Sequence, residues 1–246
     1  MRFSDTARDI DIAVHDTLAG AAAAAAREIV GVAGDAVARR GRFVVALAGG
    51  ETPRPLYALL AGEYRDAMAW DRTDVCFGDE RCVPPDDAAS NYGMVRSTLL
   101  DHVPVPANLV HRIAGELGAD TAARDYDARM RKLFRDEASA PTFDVALLGV
   151  GTDGHTASLF PGDAALAERE RWAAPALAPP GAKVRERVTL TLSVLNRART
   201  VVFLCASAEK REVVSRILAG AAPELPAARV RGAEHTLWLV DRAAAG

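Results

Sequence analysis

Phe143-Asp144-Val145-Ala146-Leu147-Leu148 runs directly into Gly149-Val150-Gly151-Thr152-Asp153-Gly154-His155-Thr156-Ala157-Ser158. The first six residues form a short apolar run, the mark of a buried strand. Three glycines then free the backbone, and Asp153 and His155 arrive two residues apart. A parallel sheet delivers reactive side chains in this way, to the crevice outside the carboxyl ends of its strands. The glycines also satisfy G-x-G-x-x-G. A dinucleotide fingerprint, however, opens the first βαβ unit and is followed about twenty residues later by an acid at a strand end. Here the loop lies past mid-chain, and Glu168 and Glu170, the acids at that distance, sit in a charged run. Pro161-Gly162 also rules out the long helix that a nucleotide fold requires. A lone His is most often structural. One beside a glycine and two residues after an Asp is a candidate general base, with Asp153 ordering the imidazole or binding substrate hydroxyls.

Outward from this stretch the pattern alternates. Strands are predicted at Phe43–Leu47, Thr73–Phe77, 109–113, 143–148, 188–192, Thr200–Cys205 and 236–240. Helices are predicted at 13–40, 53–60, 92–100, 121–137 and 209–218. Strands alternating with helices predict an α/β fold with a mostly parallel sheet covered on both faces.

Composition bounds the function classes. At 246 residues the chain can bury a large core, and a net charge of −3 favours neither nucleic acid nor an anionic membrane as partner. Cys76, Cys82 and Cys205 are too few and too scattered for a disulfide framework or a zinc site, so a reducing, cytoplasmic setting is expected. The alanine run from Gly20 follows several aspartates and precedes Arg27-Glu28, unlike a signal peptide. No apolar run reaches the length of a membrane span.

Three further features carry chemistry. Ala48-Gly49-Gly50-Glu51-Thr52-Pro53 follows a strand. Gly49 and Gly50 let the backbone approach a ligand, and Thr52 as N-cap with Pro53 as first helical residue would open a helix onto a phosphate. The absence of Lys-Ser/Thr after the glycines excludes a Walker loop. Asp79-Glu80-Arg81 stands at the end of the next strand, where three successive charges are expected to face a crevice; Asp79 and Arg81 are the candidates. Ser90-Asn91 is explained as the cap of the following helix. Arg187 begins a strand. Lys210, one of only three lysines, opens a helix against its dipole, which favours an anionic partner.

Together these loops resemble the 6-phosphogluconolactonase family. The resemblance is carried by 47–53, 79–84 with Ser90-Asn91-Tyr92, 148–162, Arg187-Val188-Thr189-Leu190-Thr191 and Leu237-Trp238-Leu239-Val240-Asp241. It implies one three-layer α/β/α, Rossmann-like domain over residues 1–246, similar to glucosamine-6-phosphate deaminase and ribose-5-phosphate isomerase. It further implies hydrolysis of 6-phospho-D-glucono-1,5-lactone to 6-phospho-D-gluconate, with no metal and no nucleotide cofactor, by a monomer or small homo-oligomer. On this reading His155 is the base and Asp153 its partner or a hydroxyl ligand. Gly49, Gly50 and Thr52 would bind phosphate, and Arg81, Arg187 and Lys210 would share phosphate and oxyanion. Asp79 would hold sugar hydroxyls or buttress Arg81. Glu51 stands where the family commonly has Ser, and is expected to point away from the phosphate. Ser158 and Cys82 lack the G-x-S-x-G elbow of a nucleophile. Two alternatives are a glucosamine-6-phosphate deaminase, which would carry Phe-Asn-Glu-Pro where Leu159-Phe160-Pro161 stands, and a sugar-phosphate sensor, which has no need of Asp153 and His155.

Overall fold

The computed structural model describes residues 2–5, 10–134 and 143–246. In chain order the elements are β1 (Arg2–Asp5), β2 (Ile10–His15), α1 (Leu18–Arg40), β3 (Phe43–Leu47), α2 (Arg54–Ala61), β4 (Thr73–Phe77) and β5 (Asp79–Arg81). There follow α3 (Asn91–Thr98), β6 (Val110–His111), α4 (Ala119–Leu133), β7 (Val145–Leu148), β8 (Ala173–Leu177) and β9 (Glu186–Leu190). The chain closes with α5 (Leu192–Leu195), β10 (Thr200–Cys205), α6 (Arg211–Leu218), β11 (His235–Asp241) and α7 (Arg242–Ala245).

Among the described residues the central sheet has eight strands in the order β1-β2-β11-β10-β7-β3-β4-β6. All its pairings are parallel except β1 with β2. Strands β3, β4, β7 and β10 are buried along their whole length, because helices cover both faces. This is the three-layer α/β/α arrangement. Helix α1 is alanine-rich on its inner face, where Ala21, Ala22, Ala25, Ala26, Ala33 and Ala36 are buried. Small side chains there let the helix backbone lie close to the sheet. The Thr17 hydroxyl caps its start by accepting from the Gly20 N–H at 3.2 Å, and Gly41, at φ 76°, ends it. Phe203 stacks on Trp238 with centroids 4.1 Å apart, filling the core between β10 and β11. Among the described residues no helix is long and apolar enough to cross a membrane.

Four expectations need correction. The helix predicted from residue 13 begins at Leu18, because Ile10–His15 pairs with β11 as a strand. Residues 186–190 are not part of the parallel sheet. They form the middle of a second, antiparallel sheet in the order β5-β9-β8. The charged triplet Asp79–Arg81 is itself a strand of that sheet. The helix predicted over 121–137 runs from Ala119 to Leu133; its expected last residues lie outside the described residues.

Gly78 joins the two sheets. Its N–H donates to the Leu47 carbonyl at 2.9 Å in the central sheet, and its carbonyl accepts from the Leu190 N–H at 2.8 Å in the small one. The chain therefore leaves β4 and enters β5 within one residue, which stands the small sheet over the carboxyl end of the large one.

Candidate active site

From β3 the chain adds β4 and β6 to one side; from β7 it adds β10 and β11 to the other. The strand order thus reverses between neighbours β3 and β7, and a ligand crevice is expected at their carboxyl ends. A cavity of about 250 Å³ lies there. Gly49, Gly50 and Thr52 line it from the end of β3, and Gly151 and His155 from the end of β7. Asp79, Arg81 and Arg187 line it from the small sheet, and Lys210 from the loop after β10. Of the predicted residues only Asp153 stands behind the wall, held against His155.

The loop after β7 folds on itself to present that pair. The Gly151 N–H donates to the His155 carbonyl at 2.9 Å, and the Gly154 N–H to the Gly151 carbonyl at 2.9 Å. Gly154, at φ 83°, makes the turn, and Thr156 Oγ1 donates to the Gly149 carbonyl at 2.8 Å. The result sets His155 Nδ1 2.5 Å from Asp153 Oδ1, which also accepts the His155 backbone N–H at 3.1 Å. Burial works to raise the Asp153 carboxyl. The His155 hydrogen bond and charge, with backbone donors, outweigh it and hold the carboxyl below its ordinary value. Phe160 lies against the imidazole, centroids 4.7 Å apart, and limits its tilt.

The opposite wall is cationic. Arg81 and Arg187 are Cα partners across the β5–β9 ladder. Arg81 Nη1 donates to the Ala89 carbonyl at 2.5 Å and Arg187 Nε to the Val184 carbonyl at 2.9 Å. Burial and then the charge of Arg81 push the Arg187 guanidinium below its ordinary value, with Asp79 and Glu80 pushing back. Two adjacent guanidiniums, each tethered by a carbonyl, are arranged to receive an anion. Lys210 adds a third cation; among the described residues it has no ion-pair partner. It stands at the end of a 3-10 turn that leads into α6, so it precedes the helix it was expected to open. Glu51 lines the cavity together with its neighbours, contrary to the expectation that it points away, and stands at the solvent side. Its side chain is 83% exposed and pairs with Arg54 Nε at 2.7 Å, which offsets its charge beside the glycine turn. Thr52 lines the cavity but is not the cap: α2 starts after Pro53, without a side-chain cap bond.

Asp79 does not buttress Arg81. Its Oδ2 accepts from Ser158 Oγ at 2.6 Å and its Oδ1 from Asn91 Nδ2 at 3.0 Å. Asn91 is therefore more than a helix-end residue, and this was not legible locally, since Ser90 does the capping. Asn91 Oδ1 is buried with no partner and leans on Gly49, where a Cβ would come within 1.8 Å of it. The glycine that bends toward the ligand is thus also required by the amide behind it. Tyr57 and Tyr126 fix the strand ends from below: Tyr57 Oη donates to the Ala48 carbonyl at 2.6 Å, and Tyr126 Oη to the Phe77 carbonyl at 3.0 Å.

Glu80 points away from the cavity into the start of α3. Its carboxylate accepts from the N–H groups of Arg81, Asn91 and Tyr92, each at 2.7 Å, and from Ser90 Oγ at 3.0 Å. Burial raises its carboxyl above the ordinary value, with those donors working the other way. The folded state thus binds this proton more tightly than the unfolded chain. The ionised form is a cost above the folded pKa, relieved as pH falls below it. Even so, Glu80→Gln is expected to destabilise the protein by about 2–3 kcal/mol, because the amide turns a donor onto backbone donors. Thermal unfolding of the variant at neutral pH checks this; an unchanged or raised Tm contradicts it.

Two non-glycine residues among those described have positive φ: Ala157 at 49°, which lines the cavity, and Ser207 at 92°, three residues before Lys210. Such conformations cost about 1–3 kcal/mol each and persist where surrounding contacts impose them. Among the described residues no group of His, Cys, Asp and Glu stands together as metal ligands do.

A family model for glucosamine-6-phosphate isomerases/6-phosphogluconolactonase matches residues 16–238. The chain belongs to this family. It is 43% identical to a 6-phosphogluconolactonase of Homo sapiens over 84% of this chain and 81% of that protein. It is 38% identical to one of Mycobacterium tuberculosis over 91% of this chain and 92% of the other. A solved 6-phosphogluconolactonase from Trypanosoma cruzi superposes with a TM-score of 0.84 at 30% identity, covering 99% of this chain and 97% of that one. The residues matched by the family model include every residue that lines the cavity.

Proposed function

We propose that the protein is a 6-phosphogluconolactonase, which hydrolyses 6-phospho-D-glucono-1,5-lactone to 6-phospho-D-gluconate. The observation that carries this reading is the pairing of a histidine–aspartate dyad on one wall of the cavity with two guanidiniums and a lysine on the others. A lactone needs a base for water and a cation for its carbonyl oxygen; a phosphate needs cations and free N–H groups.

His155 donates through Nδ1 to Asp153, which leaves Nε2 as the acceptor. Nε2 takes a proton as water adds to the lactone carbonyl carbon. The oxyanion so formed is stabilised by one of the cations. When it collapses, the bond from that carbon to the ring oxygen breaks, and the proton held on Nε2 passes to the ring oxygen. Asp153 keeps the imidazole in this tautomer and balances its transient charge. The remaining cations, with Gly49, Gly50 and Thr52, hold the phosphate. Asp79 offers its carboxylate to ring hydroxyls. Ser158 is committed to Asp79, which is consistent with attack by water rather than by a side chain. Phe160 beside His155 favours this reading over a deaminase, whose chemistry calls for an acid there. The reading extends to a single catalytic domain that works on a small phosphosugar in the cytoplasm, as a monomer or small homo-oligomer. Its modest net charge and unpaired cysteines support that setting.

The test is direct. Freshly prepared lactone is mixed with the purified protein, and acid release is followed against the spontaneous rate. A clear acceleration is expected. A rate equal to buffer overturns the reading, and ammonia release from glucosamine 6-phosphate in its place would transfer the site to the deaminase activity.

A further inference from the structure

The Lys210 side chain makes no hydrogen bond or ion pair among the described residues. It is half-buried at the cavity wall, in the loop that leaves β10. Three residues earlier Ser207 adopts φ 92° and ψ 137°, a conformation natural to glycine and foreign to serine. The Lys210 N–H donates to the Ser207 carbonyl at 3.1 Å, so the direction of that carbonyl sets where the lysine stem starts.

Asp241, 8% exposed at the end of β11, holds Ser207 in that state. Both its carboxylate oxygens lie against the Ser207 N–H, at 3.2 and 3.3 Å. Oδ1 also accepts the Ala244 N–H at 2.8 Å, which anchors the carboxylate to α7. The Cys205 thiol at the end of β10 is pushed up to about 12 by burial, the Lys210 charge opposing and the Asp241 charge adding to it. Both charges therefore stand near the same sulfur, on the same short turn. Lys210 and Asp241 do not meet as an ion pair among the described residues. The carboxylate acts on the backbone and leaves the ammonium free for a ligand.

We infer that Asp241 is a positioning residue. By clamping the strained Ser207 turn, it aims Lys210 into the cavity. The effect on turnover rests on the lactonase reading; the effect on Lys210 geometry does not. A plain helix-capping role for Asp241 predicts lost stability and nothing specific to Lys210.

The experiment is a cycle of Asp241→Ala, Lys210→Met and the double variant, with kcat and KM for the lactone measured separately. Asp241→Ala is expected to lower kcat/KM by about tenfold, divided between kcat and KM as in Lys210→Met, and the double variant to be no worse than Lys210→Met within about twofold. Adding Ser207→Gly to Asp241→Ala is expected to recover most of the loss, because glycine adopts the turn unaided. Losses that multiply, or a fully active Asp241→Ala, overturn the inference. Should Asp241→Ala fail to fold, Asp241→Asn and Ser207→Val replace it, with the same expected division between kcat and KM. A readout without turnover uses lysine labelled with 13C at Cε, whose three side-chain signals match the three lysines of the chain. Inorganic phosphate is expected to shift the Lys210 signal in the wild type, not in Asp241→Ala, and again once Ser207→Gly is added. If that pattern holds while the wild type fails to hydrolyse lactone, the functional reading falls and the positioning role stands. If the lactone is hydrolysed and the Lys210 signal responds alike with and without Asp241, the positioning role falls.

Discussion

His155→Asn lowers kcat/KM for the lactone by about 10²–10⁴-fold, the range of a lost general base. The asparagine amide reaches no farther than the Nδ1 position, so it can keep the hydrogen bond to Asp153 while offering nothing where Nε2 takes its proton. KM is expected to change little, because the groups proposed to hold the phosphate lie on other walls. Stability is expected to change little as well, since the His155 side chain is 33% exposed. Asp153, held below the usual carboxylate range by the His155 hydrogen bond and charge against the effect of burial, stays ionised and so keeps accepting from Nδ1 at lower pH than an ordinary aspartate would. The Asp153 contribution to folding is present above its unfolded pKa and is lost only as pH falls through the lower folded one. A variant with full activity removes His155 from the mechanism and leaves the lactonase assignment to be judged on turnover alone.

Gly151→Ala is expected to cost almost as much, although it adds one methyl group and no charge. A Cβ on Gly151 would fall 2.1 Å from both Cε1 and Nδ1 of His155, and 2.7 Å from Asp153 Oδ1. The backbone there is fixed by the Gly151 N–H bond to the His155 carbonyl and by the Gly154 N–H bond to the Gly151 carbonyl. The methyl cannot retreat, so the imidazole has to swing out and its bond to Asp153 breaks. A displacement of about 1 Å at a reacting group is enough for a loss of about 10²-fold. The fall is expected in kcat, with phosphate binding retained and unfolding only slightly earlier. Kinetics together with a calorimetric scan separate this from a folding defect. An active Gly151→Ala would show that the dyad can re-form elsewhere.

The parts of this architecture that depend on neighbours in sequence were legible, and those that depend on distant partners were not. Apolar runs such as Phe43–Leu47 and Thr200–Cys205 announce strands buried on both faces. The glycines beside Asp153 and His155 announce a loop built to expose them. Ile10–His15 was hidden because only Asp16 and Thr17 separate it from the alanine-rich α1, whose helical spacing absorbs Ala13 and Val14. Ala173–Leu177 has little to mark a strand beyond its pairing with β9. Asp79–Arg81 looks like an exposed loop until Thr189, Val188 and Arg187 are found opposite it, more than a hundred positions away. The separate duties of the charged triplet follow from that pairing. Alternation sends Asp79 and Arg81 to the cavity side and Glu80 to α3. No local rule distinguishes the three, nor does one tie Asn91 to Asp79.

The register of the small sheet has a consequence for how this protein loses affinity. Arg81 and Arg187 face each other as rungs of one backbone ladder, and each guanidinium is held by a main-chain carbonyl, of Ala89 and of Val184, so the placing of the two charges depends on main-chain atoms at both ends. Side-chain repacking in the core leaves it unchanged. Loosening the helices with mild denaturant should therefore not soften the grip on an anion gradually. Retention of that grip should end abruptly, with the opening of the sheet itself, and anion titrations across a denaturation curve would follow strand pairing rather than helix content.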